Sequence, residues 1–176
     1  MLGLGNNLIR LADHNSLWAE LYREEQKRII AAVGDLIIDI EHIGSTAIPG
    51  IKAKPILDML AGVVQLEKAL LCKSLLEAID YEHLARAGIA NDYVFGKGKP
   101  RTHYLHVVEY RGARWVNHLY FRDRLRKDPE LARGYEELKE ELSQKFSDSH
   151  AKYHDAKSEF IDQVVAAQHI VGREAR

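Results

Sequence analysis

The chain has 176 residues, enough for one domain with a full core, since domains commonly run to roughly 100 to 200 residues. Its 25 Lys and Arg against 26 Asp and Glu leave no whole-molecule field to draw in nucleic acid or an anionic membrane. The single cysteine, Cys72, excludes an internal disulfide and a cysteine-rich zinc site and fits a reducing cytoplasm. No stretch approaches the ~20 apolar residues that span a bilayer, and the N-terminus MLGLGNNLIRLADHNS lacks a basic region followed by a long apolar run. A soluble, unexported, cytoplasmic protein is expected.

In chain order, a short extended segment is expected from Asn7 to Asp13. Asn15 and Ser16 then offer N-cap side chains to a helix running to about Val33. Trp18, Leu21, Tyr22, Ile29 and Val33 recur at near-helical spacing, while Glu20, Arg23, Glu24, Lys27 and Arg28 solvate the other side. Gly34 and Asp35 end the helix, and Leu36 to His42 reads as a β-branched strand. Pro55 to Leu60 reads as a second strand. From Leu66 to Ile79 a helix is indicated by Leu66, Leu70 and the face of Cys72, which fills core with Leu75, Leu76 and Ile79. Val94 and Phe95 and the run His103 to Tyr110 form two antiparallel strands joined at Gly96, Gly98 and Pro100. Helices follow over Val116 to Lys127, Pro129 to Phe146 and His150 to about Val171, with Pro129 suited to a first helical turn. No repeat, linker or composition shift argues for a second domain. Residues 1–176 are therefore read as a single α/β domain, a small mixed or mostly antiparallel sheet flanked by helices from both ends of the chain.

The chemistry concentrates in GSTAIPGIKAKPILD, Gly44 to Asp58, between the first two strands. Gly44 lets backbone amides approach a ligand, and the Ser45 and Thr46 hydroxyls add hydrogen bonds to phosphate oxygens. Lys52 and Lys54 supply positive charge. Asp58 sits in an apolar strand, where a lone carboxylate needs a partner, a hydrogen bond or a metal. The bland alternative is a pair of ordinary turns with Asp58 as a structural acceptor. Along the later strand, alternation puts His103, Leu105, Val107 and Glu109 on one face and Tyr104, His106, Val108 and Tyr110 on the other, so His103 and His106 cannot share a site. In the C-terminal half, Lys139 and Lys157 fall on apolar stripes, so each ammonium snorkels, pairs with an acid or reaches a cleft. Either Arg122 and Arg126 grip phosphate bidentately, or Arg126 forms an i,i+3 pair with Asp123.

The sequence resembles the GrpB family of small bacterial proteins, whose fold is similar to the nucleotidyltransferase superfamily. The resemblance rests on Trp18, on EHIGSTAIPGIKAKPILDM at Glu41 to Met59, and on THYLHVVE at Thr102 to Glu109. It continues in LYFRDRLRKDP at Leu119 to Pro129, YEELK at Tyr135 to Lys139 and YHDAKSEFID at Tyr153 to Asp162. What it implies is a Gly44–Ser45 phosphate cradle, with Asp58 as the first carboxylate ligand of a magnesium ion. The second acidic position of the superfamily's Asp-x-Asp pair falls on Leu60, which cannot bind metal. Glu41, His42 and the strand histidines are the candidates to substitute, and the family's second strand histidine falls on His106.

Three functions follow. The leading one is binding of a nucleotide or another phosphorylated small molecule, extending to metal-dependent nucleotidyl transfer. In it Gly44, Ser45 and Thr46 hold phosphate, Asp58 holds Mg2+, Lys52, Lys54 and Arg122 neutralise charge, Lys157 positions the ligand and His106 serves catalysis. The second is a non-catalytic accessory or interaction module on the same fold, favoured by Leu60 and by the family's fusions to dephospho-coenzyme A kinase. The third is a metal-dependent phosphohydrolase built on His106 and Asp58. Neither a nucleic-acid partner nor a membrane is expected.

Overall fold

The computed structural model describes residues 2–5, 9–85, 92–147 and 149–174. The first part of the expected extended segment, Asn7 and Leu8, lies outside the described residues. The N-terminal chain touches the body through single bridges from Leu4 to Arg101 and from Ala12 to Ala53. Helix α1 (Leu17–Val33) follows its sequence period, burying Trp18, Glu25, Ile29 and Val33. The Asn15 side chain accepts from the Leu17 amide at 3.0 Å, while Ser16 makes no side-chain cap. Gly34, at φ 56, stops the helix, and its own amide closes back on the Ile30 carbonyl.

Strand β1 (Asp39–Ile43) begins three residues later than Leu36, because the chain leaving Gly34 first makes a 3-10 turn over Gly34–Leu36. The other strands are β2 (Leu57–Val63), β3 (Tyr81–Leu84), β4 (Tyr93–Lys97) and β5 (His103–Glu109). They form one mixed sheet in the order β1-β2-β5-β4-β3, parallel only between β2 and β5. Sequence patterning misses β3. It is four residues long, follows Asp80 at φ 72, and fully buries only Tyr81, so it shows no alternation.

Period-2 alternation sorts the strands onto two faces. On one, Ile40, Met59, Ala61, Val63, Leu105 and Val107 pack under α1 and the segment following β2. That segment is not the continuous helix the sequence suggests. Leu66–Cys72 is 3-10 and only Lys73–Glu77, α2, is α-helical. Ala69 and Cys72 are buried at a spacing of three and Leu76 follows at a spacing of four, so the apolar spacing tracks the change of helix type. Leu70 and Leu75, counted on the apolar face from sequence, are left exposed.

The opposite face carries Ile43, Leu60 and Val108 against Trp115 of α3 (Ala113–Lys127). Helix α4 (Pro129–Lys145) starts cleanly: Asp128 accepts from the Leu131 amide at 3.0 Å and Pro129 occupies the first turn. Its Ala132 and Tyr135 join Phe121 and Leu125 of α3 and Ile48 and Ile51 of the β1–β2 connection in a second core. Phe160, Ile161, Val164 and Val165 of α5 (His150–Glu174) close over it. Among the described residues, no helix is long and apolar enough to cross a membrane.

Two features hold these layers in place. On the first face, Glu25 of α1 accepts from Lys97 Nζ at 2.7 Å and from the Tyr81 hydroxyl at 3.1 Å. Burial pushes the Glu25 pKa up, but its partners outweigh it and hold the carboxyl below its usual range. At the end of β1, Gly44 takes φ 68, and a Cβ built there would sit 2.5 Å from Asp58 Oδ2.

Glu25→Ala leaves the Lys97 ammonium buried without its carboxylate and should cost about 3 kcal/mol in urea unfolding at neutral pH. A carboxyl with a depressed folded-state pKa contributes stability above its unfolded value and loses it on acidification. The gap between wild type and variant should therefore shrink as pH falls through and below the ordinary glutamate range. Gly44→Ala adds both left-handed strain and a clash with Asp58. It should cost about 1–3 kcal/mol and displace the Asp58 carboxylate in a structure of the variant.

Candidate functional site

A cavity of about 280 Å³ opens between the α3 face of the sheet and helices α3, α4 and α5. Six of the residues singled out from sequence line it: Gly44, Ser45, Lys54, Asp58, His106 and Lys157. Register explains the convergence. Ile43 pairs with Asp58, and Asp58 with Tyr104 on the parallel neighbour, so the Gly44 turn and the Asp58 carboxylate meet at one level of the sheet. His106 stands opposite Leu60, two residues further along β5 and so about 7 Å away at a strand rise of ~3.4 Å per residue.

Thr46, Lys52 and Arg122 do not line the cavity. Thr46 is buried, its hydroxyl 3.0 Å from His42 Nε2 on the α1 side of the sheet. The Lys52 ammonium pairs with Glu140, and its amide donates to Glu136 Oε1 at 2.6 Å, fastening the β1–β2 connection to α4. Arg122 is 7 % exposed and is engaged by neighbours through Nε and Nη1. Nη1 donates to Glu41 Oε2 at 2.6 Å and to the His42 carbonyl at 3.0 Å, and Nε donates to Asp123 at 2.8 Å. Glu41 and His42, considered as substitute metal ligands, are thus engaged elsewhere. His103 lies on the opposite face, 2.8 Å from the Thr102 hydroxyl through Nδ1, and burial pushes its pKa down to about 4.

At the lysine end, two ammonium groups lie against the ring of Tyr153 of α5: Lys54 Nζ is 4.3 Å from its centroid and Lys157 Nζ is 5.5 Å away. Burial and the Lys157 charge push the Lys54 pKa down to about 8, with Asp58 pulling the other way. Lys139, on the apolar stripe of α4, is 1 % exposed; it donates to the Lys52 carbonyl and lies 5.0 Å from the Tyr135 ring centroid. Burial, with Lys157 adding to it, brings its pKa to about 7 against the pull of Glu136 and Glu140. Ser45 and the Tyr135 hydroxyl share a hydrogen bond, which joins the Gly44–Ser45 turn to α4. Lys157 thus resists the charging of both Lys54 and Lys139.

Sequence reasoning missed a second group of cavity residues. Arg114, Asn117 and His118 sit at i, i+3 and i+4 on α3, a spacing that places them on one helix face. His106 Nδ1 lies 3.1 Å from Asp92 Oδ2, and Arg114 Nη2 donates to the same oxygen at 2.8 Å. Burial drives the His118 pKa down to about 3, helped by His106 and Arg114. Helical spacing could have grouped the three α3 residues, but nothing local marks Asp92, which precedes β4. Among the described residues, no group of three or more His, Cys, Asp and Glu side chains is arranged to hold a metal ion.

Solved structures share this architecture. The crystal structure of the conserved protein GrpB from Enterococcus faecalis is 30% identical, with a TM-score of 0.80 over 90% of this chain and 99% of that one. Terminal uridylyl transferase 4 from Trypanosoma brucei, solved with bound dUTP, covers 89% of this chain and 56% of its own at TM-score 0.56. At 12% identity that likeness is one of fold. Among curated proteins, the glutamate-rich protein GrpB of Alkalihalophilus pseudofirmus is 36% identical over 94% of this chain and 98% of its own length. YqkA of Bacillus subtilis is 40% identical over 84% of this chain, which spans only 43% of YqkA. Residues 8–167 match the family model described as GrpB protein, and the chain belongs to the GrpB family.

Proposed function

We propose that the protein binds a nucleotide or another phosphorylated small molecule in this cavity, with phosphate held between Lys54 and Lys157 beside the Gly44–Ser45 turn. The observation that carries this reading is the crowding of two ammonium groups around Tyr153 in one partly buried cavity. Like charges held together out of bulk water disfavour each other, and an anion between them relieves the repulsion while gaining charge-assisted hydrogen bonds. The apolar walls, Ile43, Phe121 and Ile161 among them, suit the non-phosphate part of such a ligand. The shared fold with a transferase solved with dUTP supports the nucleotide version.

Asp58 suits Mg2+ of one kind only. With Leu60 fully buried and apolar beside it, a single carboxylate matches an ion that arrives on phosphate oxygens and keeps most of its water shell. Magnesium so bound supplies neutralisation of phosphate charge. Nucleotidyl transfer is the reaction class to which this reading extends. Leu60 also favours a second reading, an accessory module that binds its ligand without turning it over.

Calorimetric titration of pyrophosphate, ATP, GTP and CTP, with and without magnesium, tests the binding. Lys157→Ala should weaken pyrophosphate about 10-fold or more, the worth of a charge-assisted contact. Asp58→Ala should abolish any gain from magnesium while sparing magnesium-free binding. No binding of any of the four by wild type would sink the proposal. Affinity also carries a pH signature. The Lys54 ammonium is present below its pKa of about 8 and lost above it, so anion affinity should begin to fall as pH rises through that value. Lys54→Met should bind more weakly and show no such fall. Pyrophosphate affinity measured from pH 6.5 to 9.5 checks both.

A further inference from the structure

Beyond the lysines, the cavity holds a second arrangement with its own chemical logic. Asp92 has a fully buried side chain, and its Oδ2 takes both the His106 ring nitrogen and the Arg114 guanidinium. An Arg–Asp pair serving structure alone commonly closes a two-bond fork. Here Asp92 Oδ1 and Arg114 Nε are each buried with no hydrogen-bond partner among the described residues, so the fork stays open and the shared oxygen is committed to the histidine. Burial works against the Asp92 charge, yet the hydrogen bonds from His106 and Arg114 outweigh it and keep the carboxylate ionised. An ionised acceptor at 3.1 Å places the imidazole proton on Nδ1. Nε2, across the ring, is left with its lone pair on a side chain that lines the cavity. His118, 5.8 Å away between ring centroids, stays neutral through burial and adds no competing charge.

We propose that His106, positioned by Asp92, is the proton acceptor of this cavity and takes the proton from a hydroxyl-bearing second substrate as that hydroxyl attacks the bound phosphoanhydride. The inference rests on the phosphate-binding reading above. In the step, the acceptor O–H bond breaks and its proton passes to His106 Nε2, while the oxygen's electron pair forms a new bond to phosphorus. The phosphorus–oxygen bond to the leaving group breaks with its electron pair, which departs on phosphate or pyrophosphate, and the imidazolium proton returns to solvent. His106 is the catalytic residue here. Asp92 is a positioning residue, fixing the tautomer and steadying the imidazolium as it forms.

Two measurements on the full chain test this. Nitrogen-15 NMR of histidine-labelled protein should show neutral His106 protonated at Nδ1 in wild type and should lose that signature in Asp92→Asn, with thermal melts confirming that the variant folds. A His106 protonated at Nε2 in wild type overturns the proposal. The second measurement follows transfer from ATP, GTP, CTP and UTP labelled at the α-phosphate to glycerol, with magnesium present. His106→Asn keeps a donor for Asp92 but has no basic lone pair. It should lower the rate about 10²- to 10⁴-fold and leave pyrophosphate affinity within about twofold of wild type. Equal rates in wild type and His106→Asn, or no product from wild type that binds pyrophosphate, also overturns it. Failure to bind pyrophosphate strikes the phosphate-binding reading instead, and the NMR measurement still decides the tautomer.

Discussion

The site depends on one close approach, that of the Gly44 backbone to the Asp58 carboxylate. With no Cβ, residue 44 turns through φ 68 directly over Asp58, on the strand next to the one it has just left. That turn lets β1 end where β2 begins its pairing, since Ile43 lies opposite Asp58. It sends the 3-10 turn Ser45–Ala47 toward the helices, where the hydroxyls of Ser45 and Tyr135 meet. Local backbone freedom, strand register and the seating of α4 are therefore a single constraint.

Alternation then divides the charged groups between the two faces of the sheet. Under α1, Glu25, Lys97 and Tyr81 satisfy one another, and His103 is held largely uncharged by burial. This is a closed polar network in which each charge has its partner, the form that burial tolerates. On the other face, burial lowers the pKa of both Lys54 and Lys139, and the Lys157 charge adds to it in each case. The two faces thus differ in kind: one holds a carboxylate among its donors, the other several cations close enough to disfavour one another's charge.

Much of this was legible from local pattern. The Gly44–Ser45 turn rests on local residue chemistry, while the facing of His106 away from His103 and the placing of Lys139 and Lys157 on apolar stripes rest on periods of 2 and 3.6 residues, which the fold respects. Cys72 fills core for the same reason. What stayed hidden depends on partners distant in sequence. Arg122 and Lys157 look alike as cations beside apolar neighbours, yet Arg122 meets Glu41, 81 residues earlier, and is consumed by it. Asp92 is invisible for the same reason: its worth comes from His106 on β5 and Arg114 on α3. The 3-10 segment Leu66–Cys72 was misread because threefold and fourfold apolar spacings overlap over so short a run.

Leu60 shows how register changes the meaning of a missing group. Read along the chain, an apolar residue two places after Asp58 looks like a broken pair of carboxylates. Across the sheet, Leu60 is paired with His106, and His106 with Val94, so this level of the sheet carries one titratable ring flanked by two buried apolar side chains. Such flanks lower the dielectric on two sides of the ring and strengthen its bond to Asp92, since an electrostatic contact gains in low dielectric. An acidic residue at position 60 would place a second carboxylate beside His106, in competition with Asp92 for the ring as hydrogen-bond donor. The apolar residue that leaves the proposed metal site with one carboxylate is thus also the one that leaves Asp92 as the acceptor for the proposed histidine base.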